Sequence, residues 1–192
     1  MNLILICLTV TSILLQINAQ ILFARKTPDY SFKSKTISEL AERNAPQGPA
    51  VRVFFFLPQA LLLWGLAYCL YVQNPLLETV SILISLTGTG YFVATFFPCD
   101  KGSPIWGTIS NRIHNLGGTF EYIGAVGGFL WFSYLELAPY SRVQHTLSML
   151  LGIIILLAFF GMATQSLRPI RGIIQRIAEG CIFIWFLAMS FY

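Results

Sequence analysis

Cys99, Asp100, His114, Asn115 and Glu121 stand close together in the sequence, and Arg176 and Glu179 lie near its far end. A carboxylate beside an imidazole suits general acid–base work or the holding of a cation. His114 and Glu121 are a heptad apart, so on one continuous helix they fall about 20° from a common face. Glu121 and Glu179 are each embedded in apolar sequence. A charge at the centre of a membrane helix costs about 2.5–3.5 kcal/mol, so both should turn into a bundle and find a partner. Arg176 is the natural partner for Glu179 at i, i+3, and for Glu121 across a helix interface. A catalytic metal normally takes about three protein ligands. Asp100 and His114, with Glu121 or Cys99 as the third, would supply them only if their loop folds back, and Asp100 would oppose ionisation of the neighbouring Cys99 thiol. The rival, structural reading is that these groups tie two helices together and neutralise one another.

The elements that must position these groups are membrane helices. The chain has 192 residues, 56% of them hydrophobic and 10% charged, with a mean hydropathy of +0.70. A soluble domain carries about a quarter charged residues, so this chain lacks the polar cover that a water-facing surface needs. Its apolar runs approach the length of about 20 residues that spans a bilayer, and they are unlike the short alternating segments of a membrane β-barrel. The expected fold class is all-α, a polytopic bundle of six transmembrane helices in one domain, over residues 3–23, 53–72, 76–97, 116–137, 146–164 and 173–192.

Smaller features add detail. Ile17-Asn18-Ala19 resembles a signal-peptide cleavage site, but no Lys or Arg precedes the first run while Arg25 and Lys26 follow it, which favours a retained helix. Within the polar segment 24–52, Thr36 to Arg43 reads as a short helix capped by Thr36 or Ser38. Its apolar face of Ile37, Leu40 and Ala41 suits either a helix lying on the membrane surface or a solvated connector with one amphipathic turn. Pro58 should kink the start of the second helix. Glu136 to Arg142 makes a short turn. Gly124 and Gly128 carry the small-xxx-small spacing that lets a neighbouring helix come close. Phe54 to Phe56, Trp64, Trp106, Trp131 and Trp185 are expected at the lipid or the interface, and His145 at the interface.

Eleven of the twelve Lys and Arg residues follow helix one, follow helix three or enter helix six, and Arg142 alone lies in the opposite loops. Basic short loops mark the cytoplasmic side, so both termini should be extracytoplasmic in a cell membrane. The basic residues are thus a topology signal, and no nucleic-acid partner is expected. The four cysteines form no ligand-spaced pair. Nucleotide and hydrolase signatures are missing from the sequence, which argues against those enzyme classes, and no cofactor is expected.

Tyr30 with Thr36-Ile37-Ser38-Glu39-Leu40 and Ala45-Pro46, then Phe97-Pro98-Cys99-Asp100, then His114 to Gly118, then Gly172 to Ile177 with Trp185, resemble the "domain of unknown function 998" family over nearly the whole chain. That resemblance implies a six-helix prokaryotic membrane protein with no assigned activity. It also implies an acid before Arg176, where this chain has Gln175.

These readings favour a small transporter or binding protein, with a cytoplasm-facing polar pocket around Asp100, His114, Asn115, Glu121, Arg176 and Glu179. The bilayer is its first partner, and a lipid headgroup or small solute is the expected ligand. An intramembrane enzyme acting on lipid headgroups is one alternative. The other is an accessory subunit packing through its Gly124–Gly128 face.

Overall fold

A computed structural model describes residues 2–135 and 140–191 of the chain. In lipid, long apolar stretches satisfy their own amides by coiling into helices. Six long ones result: α1 (Leu3–Arg25), α2 (Gly48–Gln73), α3 (Glu78–Phe96), α4 (Ile109–Leu135), α5 (Arg142–Ala163) and α6 (Arg171–Ser190). Among the described residues there is no strand, and short 3-10 turns at Ser38–Ala41, Pro75–Leu77 and Gln165–Ile170 complete the regular structure. Five of the six helices are long and apolar enough to cross a membrane, and α4 is the exception. The turn expected from Glu136 to Arg142 falls partly on residues 136–139, outside the described residues.

The start of α4 follows capping chemistry more than hydropathy. α4 begins at Ile109 and not at residue 116, so the stretch expected to be loop up to Asn115 is largely helical. Thr108 acts as its cap, its hydroxyl accepting from the Asn111 amide at 3.3 Å. α2 begins at Gly48 with Pro49 in its first turn. The distortion expected of Pro58 takes the form of a π turn over Arg52–Phe56, in which the Leu57 amide donates to the Arg52 carbonyl. That wider turn lies where the proline ring would otherwise press on the Phe54 carbonyl.

The bundle is apolar outside and partly polar inside, the arrangement lipid requires. α1 shows it plainly: Thr9, Ser12, Gln16 and Gln20 are buried, while Leu3, Val10, Leu14, Ile17 and Ile21 are exposed. Ser12 accepts from Gln59 Nε2 of α2 at 2.6 Å. In water such a helix would be inside out; in hydrocarbon it hides the groups that cost most.

Each helix packs against the next in sequence, and α1 closes the bundle on α6. The α3–α4 contact is the most extensive. Glycines make it possible: a Cβ on Gly124 would strike the Leu83 carbonyl, and one on Gly128 would lie 2.6 Å from Ile84 Cγ1. The Gly124–Gly128 face is therefore occupied within the chain, against α3. The aromatics divide more than expected. Phe54, Trp106 and Trp131 are exposed, but Phe55, Phe56 and Trp185 are buried. Trp185 tolerates burial because its indole N–H donates to Ser148 Oγ at 2.8 Å, and its ring stacks on Phe129.

Candidate functional site

The bundle interior holds a connected run of polar side chains drawn from α1, α3, α4 and α6. Glu179 is its centre. Tyr122 donates to Glu179 Oε1 at 2.9 Å, and the Tyr91 hydroxyl lies 3.0 Å from Oε2. Gln16 Nε2 donates to Tyr91 at 2.9 Å, and Gln175 Nε2 donates to Tyr122 at 3.1 Å. At the near end Gln175 Oε1 accepts from the Ile37 amide at 2.6 Å. Glu121, buried as well, lies beside Glu179 in this interior. Glu121 can stand there because Gly90 leaves it room: a Cβ on Gly90 would sit 2.6 Å from Glu121 Oε2.

Two cavities meet this run from different sides. One, of about 290 Å³, is lined by His114, Asn115, Tyr122, Arg171 and Gln175, together with Thr36 and Ser103. His114 lies 2.9 Å from the Phe97 carbonyl through Nδ1. A carbonyl only accepts, so Nδ1 carries the hydrogen and Nε2 is left an acceptor. Asn115 Nδ2 donates to the carbonyls of Pro104 and Ile105, both at 2.9 Å, and holds the loop over the cavity. The other cavity, of about 410 Å³, runs between α1 and α6, with Gln16, Gln20, Arg176 and Glu179 among apolar side chains. Tyr122 and Gln175 thus line one cavity while Gln16 and Glu179 line the other.

Asp100 and Arg176 stand apart from this interior. Asp100 accepts from the Thr108 amide at 2.8 Å and its hydroxyl at 2.9 Å, and pairs with Arg43 at 3.5 Å. The Thr108 amide, with Arg43 as a further cause, holds the Asp100 carboxyl below its ordinary range. Arg176 pairs with neither glutamate. Its guanidinium donates to the carbonyls of Phe32, Lys35 and Gly172 and to the Tyr30 hydroxyl. Burial pushes that hydroxyl up to about 12 despite the nearby Arg176.

Cys99 is buried, its thiol donating to the Ser38 carbonyl at 3.5 Å. Burial pushes the thiol up to about 12. Cys99, Asp100 and His114 each point to a different partner, and among the described residues no three His, Cys, Asp or Glu side chains could hold a metal ion.

A family model described as "Protein of unknown function (DUF998)" matches residues 10–192. The chain belongs to the DUF998 family. No curated protein and no solved structure matches it. In this DUF998 protein the position before Arg176, where the resemblance implied an acid, is Gln175. An amide fits the site, since it donates to Tyr122 and accepts from Ile37 at once.

Sequence reasoning passed over Gln16, Tyr91, Tyr122, Gln175, Glu39 and Arg171. A signal existed for some. Gln16 continues the polar row Thr9, Ser12 on an otherwise apolar helix, and Glu39 shares a segment with Ile37 and Leu40, which are both buried. The Ile37–Leu40 face packs within the protein and not on a membrane surface. The Ile37–Gln175 bond and the Arg171–Glu39 ion pair, at 3.1 Å, draw it onto α6.

Proposed function

We propose that this DUF998 protein is a small transporter or binding protein. It takes a small polar solute into the cavity at His114, Asn115 and Gln175, and carries a proton on the Glu121–Glu179 pair. The cavity faces the cytoplasm and both termini lie outside, as the basic loops indicate. The observation that carries this reading is the position of Glu179, bonded to Tyr122 on the side of one cavity and lining the other. Ionisable groups kept inside a membrane bundle are costly, and they mark proton and substrate paths. His114 Nε2, the Tyr122 hydroxyl and Gln175 provide the polar contacts that orient a solute.

Infrared spectroscopy of the purified protein tests the proton. The expected result is a protonated-carboxyl band that follows bulk pH and is lost in both Glu121→Gln and Glu179→Gln. A band indifferent to bulk pH would make the pair a sealed tie between α4 and α6, and the reading would fall.

A further inference from the structure

A third cavity, of about 310 Å³, lies where the 3-10 turn after α5 meets the loop before α4, lined by Ser103, Trp106, Thr164, Gln165, Arg168 and Arg171 among others. We infer that it binds a phosphate group, that of an anionic phospholipid or free phosphate, on the basic end of the bundle.

Three observations converge on this chemistry. First, Arg168 is exposed and its side chain makes no hydrogen bond or ion pair with the described residues, yet its Nη2 reaches to 3.4 Å from the point where a Cβ on Gly102 would stand. Its guanidinium is therefore at the cavity with its donors unused. Second, Arg171 is fixed behind it: Nη2 bonds Glu39 and the Gly102 carbonyl at 3.1 and 2.9 Å, and Nη1 bonds the Ser103 carbonyl at 3.2 Å. Glu39 pairs with Arg171 and Glu42 accepts from the Gly102 amide at 2.8 Å; neither carboxylate lines the cavity, and Arg168 forms an ion pair with neither. Thr164 and Gln165 add neutral polar groups to the same lining. A guanidinium fork with free donors matches the oxygens of a phosphate.

Third, the neighbourhood belongs at a headgroup level. Trp106 is 77% exposed and Ile105 59% exposed beside the cavity, and indole rings settle at the membrane–water boundary. Basic pockets between helices at the cytoplasmic face are where anionic headgroups are held. The site shares Ser103 and Arg171 with the His114 cavity, but Arg168 lines this one alone, and the site does not depend on how the glutamate pair functions.

Native mass spectrometry of the full chain, taken from nanodiscs holding equal phosphatidylglycerol and phosphatidylcholine, tests the inference. Phosphatidylglycerol should be retained preferentially, and the preference should fall about fivefold in Arg168→Gln. It should hold in Arg142→Gln, which removes a charge from the other end. A parallel thermal-shift titration with inorganic phosphate separates the sources. Stabilisation of wild type but not of Arg168→Gln by phosphate, without any lipid preference, assigns the site to free phosphate. Equal behaviour of wild type and Arg168→Gln in both assays, or an equal loss in Arg142→Gln, overturns it.

Discussion

Glu179 accepts two phenolic hydrogen bonds while 3% exposed, and its substitutions divide by shape. Glu179→Gln keeps an acceptor and should fold with little loss. Glu179→Leu leaves two buried hydroxyls without it, at about 1–3 kcal/mol each, which thermal unfolding in detergent would read. At Asp100 the sign is fixed by a carboxyl held below its ordinary range. It contributes stability above that range and loses it as pH falls through its depressed value. The thermal midpoint of wild type should therefore drop on acidification below about pH 4, and that of Asp100→Asn should drop less. The thiol of Cys99, pushed up to about 12 by burial, should resist maleimide at neutral pH. Rapid labelling of Cys99 in the folded protein would contradict its burial. Residue types alone located Glu121, Glu179 and His114 as groups that must face inward. They did not reveal that Arg176 would spend its donors on the backbone of residues 32 and 35, because that choice depends on where a distant loop lies.

The α3–α4 pair is the element on which the interior depends. Gly90, Gly117, Gly124 and Gly128 bring the two backbones close, and this contact carries Glu121 inward. Gly90→Ala would place a methyl 2.6 Å from Glu121 Cβ and 2.9 Å from the Gly117 carbonyl. The expected cost is about 1–3 kcal/mol of overpacking, measured as a lowered unfolding midpoint. The Glu121 carboxyl band should shift with it if the pair is parted. Hydropathy made the apolar helices legible because length and composition decide them. It missed the start of α4, where Thr108 and Asp100 organise polar sequence into helix; the short helix expected from Thr36 to Arg43 is there as the 3-10 turn Ser38–Ala41, but its apolar face, expected on the membrane surface or in a solvated connector, is buried by contacts with α6.

At the scale of the whole molecule, the segments around Arg43, Cys99 and Lys33 meet at one end: the Arg43 amide donates to the Cys99 carbonyl, and the Ile173 amide to that of Lys33. The opposite end gathers Asn2, Gln73 and Ser190, with the Asn2 amide donating to Ser190 and its side chain to Gln73. On the threading proposed above, which puts the Asn2–Ser190 end of the bundle outside, Lys101→Cys should react only with reagent admitted to the cytoplasmic side, and Arg142→Cys with reagent added outside. The reverse pattern would invert the threading and place the His114 cavity outside.

The closure of α1 on α6 has a consequence for biogenesis. Gln16 enters the bilayer with the first helix, but the carboxylate that completes its bonding through Tyr91 arrives with the last. Until then the nascent chain holds an amide and a phenol in lipid with only each other for company. Chains stalled before α6 should consequently be the ones that quality-control proteases recognise and clear.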